Sequence, residues 1–321
     1  MTRYLKALCA LLALWASLAS AQDYPSKPIV LVVPFAPGGS SDFLSRMIGQ
    51  KLTDAWKQQV VIENKPGGAG NIAMEAVQRS RPDGYTLILG HVGTLAVNPA
   101  MFAKLPYDPI KGFIPISLIA LVPNIVAINP EVPAKNFKEF LALAKAKPGT
   151  INYGSAGNGS AGHLAMEYLK QAAQIDLVHV PYKGTGPMLT DLLGGSTQAT
   201  FTGATPLVPH IKQGKLRALA VGSARRIASL PDVPTVAESG FPGFETSQWY
   251  GIMAPAGTPD AIVAKLSGEI NRILKTPDVI ERLAAEGSVP AGNTPAEFAR
   301  FIDAEQRRWG AVVKSAAIKP E

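Results

Sequence analysis

Two glycine-rich turns, each set between an apolar run and a helix-like pattern, are the parts of this chain best suited to hold a charged molecule. The first lies in "LVVPFAPGGSSDFLSRMIGQKL", residues 31–52, and the second in "INYGSAGNGSAGHLAMEYLK", residues 151–170. In the first, Phe43, Leu44, Met47, Ile48 and Leu52 recur at helical spacing, so a helix starts near Ser40 or Ser41. In the second, Leu164, Ala165, Tyr168, Leu169 and Ala172 make a similar face, with Asn158, Gly159 and Ser160 at the opening. The first N–H groups of a helix lack helical partners, and glycines such as Gly38 and Gly39 leave them open to a ligand. Such an end favours an anion. Hydrogen bonds to a charged group contribute about 1.5–3 kcal/mol each and the helix-end dipole about 0.3–1. A few donors from each turn therefore reach the roughly 8 kcal/mol of micromolar binding without an arginine clamp.

Other chemistries fit less well. Gly157-x-Gly159-x-x-Gly162 matches the dinucleotide fingerprint literally, but the acid it needs at the end of the next strand is missing, since Asp176 precedes "LVHV". Neither turn continues as Gly-Lys-Ser/Thr, so no phosphate-binding loop of that type is formed. Ser40, Ser41, Ser155 and Ser160 stand outside any Gly-x-Ser-x-Gly elbow. His163, three residues after Ser160, is the one histidine near a candidate serine and leaves an exported serine hydrolase as the rival reading. His91, His163, His179 and His210 lack the spacing of a metal site, so neither metal nor cofactor is expected. Asp42 reads as a cap for its own helix.

The elements that must position these turns follow from patterning. "MTRYLKALCALLALWASLASA" has basic Arg3 and Lys6, an apolar run and a small-residue Ala-Ser-Ala end, the plan of a signal peptide over residues 1–21. Its apolar run is shorter than the ~20 residues of a spanning helix. Cys9 lies inside it, so the exported chain is expected to have no cysteine and to rest on its core, which suits a bacterial periplasm. The net charge of +7 becomes 7 − 2 = +5 without Arg3 and Lys6, a mild excess with no basic block interleaved with aromatics, so nucleic acid is not an expected partner. About 300 remaining residues call for two lobes. Apolar runs alternating with helical patterns, first from Ile29 and again from Ile151, indicate two α/β lobes. "IPISLIALVPNIVAINP", interrupted by Pro123, and "FETSQWYGIMAPAGTP" read as two strands crossing between them. Three helices, Pro259 to Lys275, Pro277 to Glu286 and Pro295 to Ala317, then return to the first lobe, each opening at or beside a Thr-Pro pair.

With these motifs in order, together with "VVIENKPGGAGNIA", "PDGYTLILG", "VPYKGTGPMLTDLLGG", "HIKQGKLRALAV", "LPDVPTVAESGFPGFE" and "WYGIMAPAGTP", the chain resembles the receptors of the tripartite tricarboxylate transporter family, also called the Bug family. The resemblance implies an α/β fold of the periplasmic-binding-protein type II, with two α/β lobes joined by two crossing strands: residues 22–121 and 246–321 in lobe 1 and 122–245 in lobe 2. It implies a monomeric periplasmic receptor, not an enzyme, that passes an organic carboxylate to the permease subunits of a tripartite tricarboxylate transporter. A ligand-sensing partner of a membrane signalling protein is the other receptor role left open. Carried across, the loop of Phe35, Ala36, Pro37, Gly38, Gly39, Ser40, Ser41 and Asp42 and the turn of Ser155, Gly157, Asn158, Gly159 and Ser160, with His163, would hold carboxylate groups, partly through water. Thr94, Tyr182, Lys183 and Thr202 would line the cleft. One segment departs from the family habit: "GGSTQATFTGAT" carries Gln198 and Thr202 where acids are common. Without an acid to meet an ammonium group, the ligand is expected to be a carboxylate lacking an amino group.

Overall fold

A computed structural model describes residues 24–315; the expected signal peptide and the last residues of the expected C-terminal helix lie outside them. The strands among the described residues are β1 (Ile29–Val33), β2 (Val60–Asn64), β3 (Thr86–His91), β4 (Phe113–Ile128), β5 (Asn152–Ser155), β6 (Val178–Pro181), β7 (Ala199–Gly203), β8 (Arg217–Val221), β9 (Ser247–Pro255) and β10 (Val289–Pro290). The helices are α1 (Ser40–Trp56), α2 (Asn71–Gln78), α3 (Asn98–Met101), α4 (Phe137–Ala146), α5 (Ala161–Ala173), α6 (Thr185–Leu193), α7 (Ala204–Lys212), α8 (Asp260–Ile273), α9 (Pro277–Ala285) and α10 (Pro295–Ser315).

The strands form one curled sheet in the order β2-β1-β3-β9-β4-β7-β5-β6, with β8 and β10 also paired to β4. The expected parallel units are present in both halves: β1 with β2 and β3, and β5 with β6 and β7. Strand β4 belongs to both halves. Phe113 to Pro123 pair antiparallel with β9, and Asn124 to Ile128 pair with β7. Pro123 therefore does not interrupt the run as expected; it sits opposite Ser247, at the point where the strand changes partners. The second passage is at Thr246, whose N–H donates to Gly222 O at 2.7 Å, while Gly222 N–H donates to Asn124 O at 2.7 Å.

Burial explains why the helices stand where they do. Leu44, Met47, Ile48 and Leu52 of α1 are buried in a core that continues across the crossing into Met188, Leu192, Leu207 and Val221. In α5 the buried face is Leu164, Ala165, Leu169 and Ala173; Ala172 points outward, one position from where its spacing suggested. The C-terminal helices return to the first half. Gln306 of α10 donates to Leu95 O at 2.7 Å, in the π-helical segment Gly93–Val97. Buried Glu305 accepts both the Trp249 indole N–H at 2.8 Å and the Trp309 indole N–H at 3.0 Å, so β9 is tied to α10. Of the three expected threonine caps, only Thr294 accepts the cap bond, from Glu297 N–H at 3.2 Å, and Glu297 reaches back to Thr294 N–H.

Candidate functional site

Both glycine-rich turns face one cleft between the halves of the sheet. Each stands at the C-terminal end of a parallel strand, β1 or β5, and each opens a helix, α1 or α5. At the bottom of the cleft is a chamber of about 20 Å³ whose walls include Ser41 from α1 and Ser160, Ala161 and Gly162 from the start of α5. Outside it, a chamber of about 360 Å³ is bounded by Gly67 to Gly70, Phe102, Asn158, Tyr182 and Lys183. Phe35 and Ala156 belong to the walls of both, so the two chambers adjoin.

The donors at the two helix ends differ from those the turns suggest. In α1 the N–H groups of Ser40, Ser41 and Asp42 have no helical acceptor. Gly38 N–H is taken by Asp42 Oδ2 at 3.2 Å, and Asp42 is also paired with Arg46 at 2.9 Å. Asp42 therefore does not cap the N–H groups of its own helix as expected; it ties the loop ahead of the helix, at Gly38, to Arg46 one turn on. In the second turn most main-chain donors are occupied: Gly157 N–H by Ser155 Oγ at 3.1 Å, Gly159 N–H by His163 Nδ1 at 3.1 Å and Ser160 N–H by Gly157 O at 3.0 Å. The donors left facing the small chamber belong one step later, at Ala161 and Gly162.

The base of the small chamber is polar and neutral. Gln248 of β9 donates to Asn124 Oδ1 at 2.9 Å and lies 3.4 Å from Thr202 Oγ1, both in the second half of the sheet. Its carbonyl accepts the Tyr250 hydroxyl and approaches His91 Nε2 at 3.4 Å, both in the first half. Burial holds His91 uncharged, its pKa lowered to about 4, and raises that of Tyr250. Phe35 packs edge-on against the His91 ring, with centroids 5.1 Å apart.

Several expected site residues do other work. Ala36 to Gly39 press against the turn opening α6 across the cleft: a Cβ on Gly39 would lie 3.1 Å from Thr185, and one on Gly184 would lie 2.9 Å from Ala36. Ser40 lies against Tyr250. Thr94 is buried beneath His91, its hydroxyl bonded to His91 O at 3.1 Å, and borders neither chamber. Tyr182 borders the outer chamber and also packs against the core, and its hydroxyl donates to Asp191 at 2.6 Å; burial, with that bond, pushes its pKa up to about 12. Thr202 borders the small chamber, whereas Gln198 does not, its side chain being held by Asn152 N–H at 3.0 Å and Gly195 O at 3.0 Å.

The Ser160–His163 arrangement of a hydrolase is not formed. Ser160 Oγ caps α5 by accepting His163 main-chain N–H at 3.4 Å, and the His163 ring stacks on His179 with centroids 4.0 Å apart. The histidine next to a serine side chain is instead His179, 2.7 Å from Ser155 Oγ and sandwiched between Tyr153 and His163. Burial, with His163 and Lys170 nearby, lowers its pKa to about 3, far below the working range of a general base.

Sequence reading missed His91, Gln248, Tyr250, Thr185, Phe102 and the Gly67 to Gly70 loop. Gln248 and Tyr250 left a trace: they alternate around Trp249 in an otherwise apolar strand, so they share one face of the sheet.

Comparison with known proteins agrees with this architecture. The family model described as tripartite tricarboxylate transporter family receptor matches residues 44–318. Protein BugT of Bordetella pertussis is 37% identical over 301 residues, 94% of this chain and 92% of that one. The solved structure of Rpa4515 of R. palustris with adipate is 37% identical at a TM-score of 0.91, covering 93% of this chain and 100% of that one. MatC of Rhodopseudomonas palustris with bound malate is 35% identical at a TM-score of 0.85, covering 90% of this chain and 100% of that one.

Proposed function

The chain belongs to the tripartite tricarboxylate transporter receptor family, and from that membership we propose that it captures an organic carboxylate between its lobes and hands it to the permease of such a transporter. The observation that carries this is the small chamber: two helix N-termini, one from each half of the sheet, open onto a single space lined by neutral donors. The adipate and malate bound to the two similar structures support the choice of anion. Main-chain N–H groups of Ser41, Ala161 and Gly162, with the Ser41 and Ser160 hydroxyls, would hold one carboxylate group. Phe35, Asn158, Tyr182 and Lys183 would contact the rest of the ligand.

In this reading the lobes divide near residues 121–122 and 245–246, close to the hinge where β4 changes partners and where Thr246 meets Gly222. A ligand closes such a hinge only by preferring the closed form. An anion that bridges α1 and α5 has that preference, because both helix ends reach it only when the loops meet. Family membership supports delivery to a permease rather than to a signalling protein; a periplasmic location after export on residues 1–21 and action as a monomer belong to the same proposal.

Among the described residues that line the two chambers none is acidic, so an ammonium group on the ligand would have no counter-charge. The reading is tested by a thermal-shift screen against organic acids. A ligand at a hundred times its dissociation constant adds about 2.7 kcal/mol, several degrees for a protein of this size. Aspartate and glutamate are expected to shift the melting point less than the matching acids without nitrogen. A screen in which no carboxylate stabilises the protein rejects the reading.

A further inference from the structure

Two histidines hold the second glycine-rich turn from within its own half of the sheet. His163, on the first turn of α5, and His179, on β6, stack with their rings 8° from parallel and their centroids 4.0 Å apart. Tyr153 of β5 stacks on His179 in turn, at 4.9 Å. The Tyr153 hydroxyl donates to Glu167 at 2.6 Å, and Lys170 pairs with Glu167 at 2.8 Å, so the stack is fastened to α5 as well. Neither histidine borders the small or the outer chamber.

The turn needs such a hold. Gly157 and Gly159 have φ of 120° and 71°, in the left-handed region where a glycine is little restrained by its own backbone. Side-chain bonds restrain both. His163 Nδ1 accepts Gly159 N–H at 3.1 Å, which requires the neutral ring with its proton on Nε2. Ser155 Oγ accepts Gly157 N–H at 3.1 Å and stands 2.7 Å from His179 Nε2. Ser155 is buried, so its hydroxyl is oriented by these partners and by Gly157 O, also at 3.1 Å. With Gly157 and Gly159 fastened in this way, and Ser160 N–H taken by Gly157 O, the chain enters α5 along one path. The N–H groups of Ala161 and Gly162 are then the ones that open onto the small chamber.

We infer that His163 and His179 are positioning residues for carboxylate capture: they touch no ligand and act by fixing the turn that aims Ala161 and Gly162 at it. The inference rests on the receptor reading above. It moves His163 from the ligand contacts, where the resemblance put it, to the support of those contacts. What counts at residue 163 is then one acceptor atom in the place of Nδ1, not the ring that carries it.

Two substitutions at each position separate the bond from the ring. His163→Asn places a side-chain carbonyl where Nδ1 stands and loses the stack, whereas His163→Leu keeps apolar burial and loses the acceptor. Calorimetry with adipate and malate is expected to give affinities within about threefold of the parent for His163→Asn and at least about tenfold weaker for His163→Leu. His179→Gln, whose amide reaches Ser155, should stay within about threefold, and His179→Phe, which keeps only the stack, should bind at least about fivefold more weakly. Amide hydrogen exchange gives a readout without ligand: Gly159 N–H should be protected in the parent and in His163→Asn and exchange faster in His163→Leu. Melting curves verify folding, and the pair at His179 carries the test if a variant at His163 does not fold. His163→Leu and His179→Phe binding as tightly as the parent would overturn the inference while leaving a carboxylate receptor standing. So would His163→Asn binding no tighter than His163→Leu. Where neither adipate nor malate binds the parent, the acid with the largest effect in the thermal-shift screen replaces them, and a screen without such an acid overturns both readings.

Discussion

Gln248 is a side chain that joins the small chamber directly to the hinge. One amide group contacts Asn124 and Thr202 on one side of the crossing and Tyr250 and His91 on the other. Gln248→Ala would strand several buried partners, and each unsatisfied buried group costs about 1–3 kcal/mol. The expected outcome is a lower melting point together with ligand affinity reduced at least tenfold, read by calorimetry. His91 makes a second prediction. Its pKa falls from an ordinary 6.5 to about 4 on folding, so between these values the unfolded chain holds a proton that the native protein lacks. Stability from the neutral ring is complete above about pH 6.5 and is lost as the pH drops through 4, at up to about 1.4 kcal/mol per pH unit. Melting temperature against pH should therefore fall more shallowly over that window in His91→Gln than in the parent protein. At this scale the sequence was only partly legible. Ser41 and Ser160 could be read from their place at helix starts, but Thr94 could not be separated from His91 above it. Which N–H groups remain free depends on local acceptors, such as the His163 ring, that spacing does not reveal.

Among the elements, the turn that opens α6 matters as much as the two glycine-rich turns. Gly186 stands where any Cβ would overlap Pro37 O, and Gly184 has φ 142°, a conformation that side chains rarely adopt. The contact joins opposite lobes, so a side chain there blocks the approach of one lobe to the other. Gly186→Val is expected to weaken ligand binding by an order of magnitude or more while moving the melting point of the ligand-free protein little, because the clash exists only when the lobes meet. Unchanged affinity in that variant would show that this contact is incidental to closure. The helices and parallel strands were readable because their apolar spacing is set by burial against a single sheet. The role of "KGTG" was not, since a glycine that admits a neighbouring backbone and a glycine that merely turns the chain look alike in one sequence.

For the whole molecule, the decisive feature is that β4 runs through both halves of the sheet, with a core that continues beside it from α1 to β8. Two strand passages at one point constrain the lobes to rotate about that point instead of drifting apart. Small-angle scattering is expected to show a smaller radius of gyration with saturating ligand than without, and an unchanged profile would exclude a closing hinge. The crossing was visible in the sequence as two long apolar runs, although Pro123 suggested a break where the chain in fact continues. Only the fold shows that Pro123 and Asn124 divide one strand between two sets of neighbours.

The carboxylate of Glu305, gripping the indoles of Trp249 and Trp309, has a practical corollary. Trp249 follows Gln248 in the strand and points to the opposite face of the sheet, onto Phe298 and Phe301 of α10. Its indole emission is therefore expected to report the packing of β9 on α10, a built-in probe that needs no attached dye.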